Sequence, residues 1–164
     1  LSDGDTIFID SGSTAVNVLR HLPPRIKLTV VTHSLPAMVE AAKYDGINLI
    51  SLGGAFNPAT SSFVGIFAQQ ALSDLRITKA FLCATGVTVE SGMSNTTFLE
   101  AEIKRGVVSH ASSVILVADN SKLGHDATVT FCRLQDISTF VTDQKPAPKF
   151  VEFCRTHNIR LVWE

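Results

Sequence analysis

Asp10, Ser11, Gly12, Ser13 and Thr14 follow directly on the apolar run Ile7-Phe8-Ile9, and residues of these types in this order can hold an anion. A strand that runs into a Gly-containing turn and then a helix presents unpaired N–H groups and a partial positive charge at the helix start. Gly12 lets the backbone approach a ligand closely, and Ser11, Ser13 and Thr14 add hydroxyl donors. The bland reading is an ordinary helix cap. The segment lacks the Gly-Lys-Ser/Thr ending of a Walker A loop and is no G-x-G-x-x-G fingerprint. It suits one phosphoryl group better than a nucleotide.

Other residues can complete such a site. Lys122 follows the apolar run Val114 to Ala118 and can bring a point charge to the same phosphate, unless it is a solvated surface lysine. Asp10 and Asp119 can accept hydrogen bonds from sugar hydroxyls, or merely cap turns. Glu100 and Lys104 stand at i and i+4. From spacing alone a plain helical ion pair is the preferred reading, and a polar pair facing a pocket is the alternative. His33 follows Thr32 at another run's end, and His125 can cover a ligand from the loop after Lys122. No histidine has metal-ligand spacing with another His, Cys or acid, so neither metal nor cofactor is expected. Cys83, Cys132 and Cys154 form no C-x-x-C. They read as reduced, buried thiols.

Elements must place these residues. Short apolar runs span Thr6 to Ile9, Leu28 to Val31, Asn48 to Leu52, Ala80 to Ala84, Val114 to Ala118, Thr139 to Val141 and Arg160 to Trp163. Most are continuous rather than alternating, which suits strands buried on both faces of a largely parallel sheet. Helical patterns lie between them. One starts at a Ser13-Thr14 cap and stops at Pro23-Pro24. Others begin near Pro36, cover Phe63 to Leu75 and Phe98 to Ala111, and include Phe150 to Cys154. Thr128 to Cys132 can hold an extra strand. The alternation predicts an α/β fold. Strands end in Asp10-Ser11-Gly12, Thr32-His33-Ser34, Gly53-Gly54, Thr85-Gly86 and Asp119 to Lys122. In a parallel sheet these ends share one edge, where ligands bind, so one composite pocket is predicted.

With 164 residues, 45% of them hydrophobic and 18% charged, the chain suits one domain with a buried core. A net charge of −1 gives no basic surface to grip nucleic acid. No apolar run is long enough to span a membrane, and no targeting motif is present. The start, Leu1-Ser2-Asp3-Gly4-Asp5, reads as the end of a helix or loop followed by a turn. A longer protein is expected around it.

In this order, the motifs resemble the C-terminal effector-binding domain of DeoR-family transcriptional regulators. The matching elements are Asp3-Gly4-Asp5, Asp10 to Thr14, Thr32-His33-Ser34, Gly53-Gly54, Gly86, Glu100 with Lys104-Arg105, Asp119 with Ser121-Lys122 and Gly124, and Thr142-Asp143. The resemblance covers essentially the whole chain. It implies a mostly parallel sheet flanked by helices, similar to ribose-5-phosphate isomerase and CoA-transferase-like folds. It implies a phosphorylated sugar as effector and a homo-oligomer, dimer or tetramer, in the cytoplasm. It also implies a helix-turn-helix upstream, which rather than this domain would contact operator DNA. The expected ligand-binding set is Asp10, Ser11, Gly12, Ser13, Thr14, Thr32, His33, Gly86, Glu100, Lys104, Asp119 and Lys122. Two positions depart from the family pattern. Ser13 replaces the usual Thr and keeps a hydroxyl. His33 stands where Asn is frequent, which can alter effector choice or make binding pH-sensitive.

Three functions compete. A sensor shifts a conformational equilibrium through differential affinity for two states. An aldose–ketose phosphate isomerase needs a base beside a carbonyl. Isomerases of this fold carry an acidic run near the middle strand, whereas Ala84-Thr85-Gly86-Val87-Thr88 has no carboxylate, and only Glu100 can substitute. The sensor is therefore preferred. The third reading is a phosphosugar-binding module fused to another domain.

Overall fold

The computed structural model describes residues 1–163. Its main sheet has seven strands, all parallel, built from β1 (Thr6–Ile9), β2 (Leu28–Thr32), β3 (Ile47–Ser51), β6 (Lys79–Leu82), β9 (Val114–Val117), β11 (Thr139–Thr142) and β12 (Arg160–Trp163). These match the apolar runs to within about a residue at most ends, because strands buried on both faces need uninterrupted apolar sequence. In space the order is β12-β11-β9-β6-β1-β2-β3. The chain lays β1, β2 and β3 outward in one direction, then returns to place β6 on the other side of β1. The order reverses between β1 and β6, and at such a switch point adjacent connections leave toward opposite faces and open a crevice.

Helices cover both faces. α1 (Ser13–Arg20) and α2 (Leu35–Ala41) pack on Ile7, Ile9 and Val30. α3 (Ile66–Leu72), α4 (Phe98–His110) and α5 (Pro148–Thr156) cover the face that carries Phe8, Leu82, Leu116 and Phe140. Alternate residues of β1 thus feed two separate cores, as the two-residue period of a strand requires.

Five short strands lie outside the main sheet. β4 (Ala55–Asn57) and β5 (Ser62–Val64) form an antiparallel hairpin, with Phe56 opposite Phe63. β7 (Gly86–Thr88), β8 (Gly92–Asn95) and β10 (Val129–Cys132) make a three-stranded antiparallel sheet. β10 is the extra strand expected at Thr128 to Cys132. The helix expected over Phe63 to Leu75 is shorter. Phe63 and Val64 belong to β5, and Gly65, at φ 99°, turns the chain before the helix begins. The expected Ser13-Thr14 cap is also displaced. Gly12 is the capping residue, no side chain among the described residues caps the helix, and Ser13 already lies in the first turn. No helix among the described residues is long and apolar enough to cross a membrane.

Candidate functional site

A cleft of about 630 Å³ opens at the switch point. One wall is a face of α1, where Ser13, Asn17 and Arg20 stand on successive turns. A second wall is the Ala59-Thr60-Ser61 turn of the β4–β5 hairpin, together with Pro36 at the start of α2. The floor consists of Cys83, Ala84 and Thr85 after β6, Asn95 at the end of β8, and Glu100 and Lys104 on α4.

The mouth of α1 supplies donors. The Ala15 and Val16 amides donate to the Gly12 carbonyl at 3.0 and 3.3 Å, and the Ser11 amide donates to Asp10 at 2.8 Å. Among the described residues, the Ser13 and Thr14 amides have no backbone acceptor outside their own helix, as expected for a first turn. Gly12 is required here by proximity rather than by φ, which is −64°. A Cβ on it would lie 2.5 Å from the Cys83 Sγ. The missing side chain lets the start of α1 sit against the end of β6.

Beneath this mouth lies a buried ion pair. Asp10 is wholly enclosed, and its Oδ2 accepts from the Cys83 amide at 2.8 Å and lies 2.8 Å from the Lys104 Nζ. Lys104 also donates to the Cys83 carbonyl at 2.8 Å and to the Asn95 Oδ1 at 3.0 Å. An ammonium has three protons, and these three acceptors occupy them. Asn95 turns its amide the other way and donates to the Glu100 Oε2 at 3.1 Å, to which the Thr97 hydroxyl also donates at 3.3 Å. Glu100 and Lys104 are thus bridged through Asn95. No direct salt bridge joins them among the described residues, so the helical ion pair favoured by their spacing is replaced by a pair that faces the pocket. The Glu100 Oε1 makes no hydrogen bond among the described residues, and Glu100 lines the cleft.

Burial pushes the Asp10 carboxyl up, but the neighbouring charge and hydrogen bonds outweigh it and hold it below the usual range. His33 is equally enclosed, with its Nε2 3.6 Å from the Asp10 Oδ1 and its ring 5.6 Å from that of Phe8. Burial drives His33 below its ordinary value more strongly than Asp10 raises it. His33 is therefore neutral near pH 7, and Lys104 supplies the charge that keeps Asp10 ionised. Among the described residues, neither ring nitrogen of His33 has a hydrogen-bond partner.

The sequence profile described as the DeoR C terminal sensor domain matches residues 1–144. The chain belongs to this family. The DeoR sensor domain here is 36% identical over 159 residues to the HTH-type transcriptional regulator IolR of Bacillus subtilis, covering 97% of this chain and 63% of that one. It is 32% identical over 152 residues to a lactose phosphotransferase system repressor of Staphylococcus epidermidis, covering 91% and 59%. With the HTH-type transcriptional regulator GlpR of Haloferax volcanii the identity is 34% over 144 residues, covering 87% and 56%. The chain thus spans about three fifths of the length of these curated relatives. A solved D-ribose-5-phosphate isomerase in complex with phospho-erythronic acid aligns with a TM-score of 0.52 at 20% identity, over 75% of this chain and 48% of that one. That likeness shows the fold.

Within the DeoR sensor domain, the structure brings only part of the expected set to the cleft. Ser11, Gly12, Ser13, Glu100 and Lys104 line it, and Asp10 lies directly under it. Thr32 is buried, with its hydroxyl donating to the Ile9 carbonyl at 2.6 Å and accepting from the Ser34 amide at 3.0 Å. That ties β1 to the start of α2. Gly86 is buried in β7, where a Cβ would lie 2.3 Å from the His125 carbonyl oxygen. The loop carrying His125 packs on Gly86, and His125 is not among the residues that line the cleft. Thr14 and Asp119 line a separate hollow of about 320 Å³ with Thr142 and Trp163. Lys122 closes a short 3-10 turn over Asn120–Lys122 and is not among the lining residues. Of the five strand ends expected to share one pocket, those of β1 and β6 reach this cleft, because these two flank the order reversal and the others do not.

The cleft also holds residues outside the expected set: Asn17, Arg20, Thr60, Ser61 and Asn95. Asn17 and Arg20 were legible as the i+4 and i+7 positions of Ser13. The Asn57-Pro58 dipeptide marks a turn and would have located the hairpin. Nothing in Ser94-Asn95-Thr96-Thr97 distinguishes Asn95 from a polar loop.

Cys83 also lines the cleft, but burial pushes its thiol up to about 12, so it is no nucleophile at neutral pH. Among the described residues, no group of three His, Cys, Asp or Glu is placed to hold a metal.

Proposed function

We propose that this chain is the effector-receiving domain of a transcriptional regulator and that a phosphorylated sugar binds in the switch-point cleft. The observation that carries the reading is the polarity of that cleft. Donors cluster at one end, in the mouth of α1 and the hydroxyls of Ser11 and Ser13, and suit a phosphate. An unpaired carboxylate oxygen on Glu100 lines the floor and suits sugar hydroxyls, which donate. The floor between them is immobilised by the Asp10–Lys104–Asn95–Glu100 network, so a ligand meets fixed partners.

The relatives support the regulatory half of the reading, since they are named as HTH-type regulators and repressors. Operator binding then belongs to an attached helix-turn-helix, whose affinity the sugar phosphate shifts by preferring one conformation of the sensor. Assembly with further copies of the chain fits the apolar side chains left in solvent, among them Phe67 at 71% exposure and Phe98 at 61%.

A second reading, an aldose–ketose phosphate isomerase, rests on Glu100, a carboxylate able to move a proton beside a carbonyl. Titration calorimetry with a panel of pentose and hexose phosphates, followed by a turnover assay on those that bind, separates the two. Binding without turnover is expected. Glu100-dependent turnover would install the isomerase, and a response to inorganic phosphate alone would remove the sugar.

A further inference from the structure

Among the described residues, the cleft lining contains one cation that the floor network does not hold. Lys104 has its three protons committed and its charge matched by Asp10. Arg20 differs. Its Nη1 donates to the Asn17 Oδ1 at 3.0 Å, and its Nε stands 3.6 Å from Glu40, a carboxylate that already has Lys43 at 2.8 Å. The rest of the guanidinium fork has no acceptor among the described residues, and its side chain is 59% exposed. A guanidinium with free parallel donors is suited to two-point recognition of a carboxylate or phosphate.

Its position matters as much as its charge. Seven residues separate Arg20 from Ser13, so their backbones stand about 10 Å apart along the helix. Helical side chains lean toward the N-terminus, and the hydrogen bond to Asn17 fixes the guanidinium about one turn of 5.4 Å from the level of Ser13. An anion seated on the α1 mouth is out of its direct reach. The separation is of the order of the two ends of a five- or six-carbon chain. Glu100 lines the same cleft with an acceptor, which repels an anion and favours hydroxyls.

We propose that Arg20 reads a second anionic group, so that the effector class is a sugar phosphate that also carries a carboxylate or a further phosphate at its opposite end. The inference rests on the phosphosugar reading above and names the chemistry of that ligand's far end.

Four probes titrated into this chain test it. Glucitol 6-phosphate has one anionic end, 6-phosphogluconate adds a carboxylate, fructose 1,6-bisphosphate adds a phosphate, and gluconate carries the carboxylate alone. At least one doubly anionic probe should bind about tenfold or more tighter than glucitol 6-phosphate, and which one does so distinguishes carboxylate from phosphate. Arg20→Gln should remove that advantage while changing glucitol 6-phosphate less than about threefold. Arg20→Lys, which keeps the charge and loses the fork, should restore part of it. Arg20 is exposed on α1, so these variants leave the core intact. Equal affinity for singly and doubly anionic probes, or an equal effect of Arg20→Gln on both, overturns this inference and leaves the phosphosugar reading standing. Binding of gluconate as tightly as 6-phosphogluconate, or no binding of any phosphorylated probe, overturns both.

Discussion

The Nζ of Lys104 lies 2.8 Å from the carboxylate of Asp10, and both side chains are sealed from solvent. One comes from the middle of α4, the other from the end of β1, and neither can leave without stranding its partner. Removing one charge from a buried pair costs far more than removing both. Asp10→Asn and Lys104→Met should therefore each lower unfolding stability by about 3–5 kcal/mol. The double variant should lose clearly less than the sum, as read by urea denaturation. Additive losses would show that the two groups do not act as a pair.

Acid should erode the stability of the fold over two pH ranges. His33 binds a proton less readily folded than unfolded, so its contribution is complete above about pH 6.5 and is lost as pH falls below that. The slope approaches about 1.4 kcal/mol per pH unit. Asp10 is held below its ordinary value, so its contribution is present above about pH 4 and disappears as pH falls toward its folded value. Stability measured from pH 7.5 to 5 should fall in the native chain and stay flatter in His33→Asn. Identical slopes would place the proton uptake elsewhere.

Gly12→Ala puts a methyl group 2.5 Å from the Cys83 Sγ and 2.6 Å from its Cβ. The start of α1 must then lift from β6, at a cost of about 1–3 kcal/mol. Phosphate-dependent stabilisation should fall with it. Cys83→Gly in the same chain removes the obstruction and should recover part of both. Failure to recover either would mean that Gly12 is needed for some reason other than contact with Cys83.

Lys122→Ala should leave sugar-phosphate affinity within about a factor of two, because Lys122 does not line the cleft and solvent and salt screen a charge that makes no contact. Calorimetry at two salt concentrations decides this. A large loss confined to phosphorylated ligands would bring Lys122 back to the phosphate.

The main sheet was readable because burial on both faces imposes continuous apolar runs, and Ile7-Phe8-Ile9 or Val114 to Val117 could hardly be anything else. Periodicity does not reveal the hairpin, because Ala55 to Asn57 and Ser62 to Val64 are three residues long, too short for a period to register. At the site, residue order located the α1 mouth, since strand, glycine and hydroxyl residues act locally there. Spacing pairs Glu100 with Lys104 on one helix, while the family resemblance places both at the ligand. Only the fold could bring Asn95 between them and Asp10 beneath. The rule that strand ends share an edge draws Lys122 and Asp119 toward the pocket. That rule says nothing about which strands sit side by side, and β9 is separated from β1 by β6.

The reversal of strand order has a mechanical consequence. The walls of the cleft come from residues 11–61 and its floor from residues 83–104, so a bound molecule stitches the first third of the chain to its middle. Its hydrogen bonds then span segments that the backbone connects only through a long detour. Such a molecule acts as a removable cross-link, lowering the entropy released when β1 and α1 part from β6 and α4. Amide exchange should slow together in both segments on binding, although no single element of the fold contains them both.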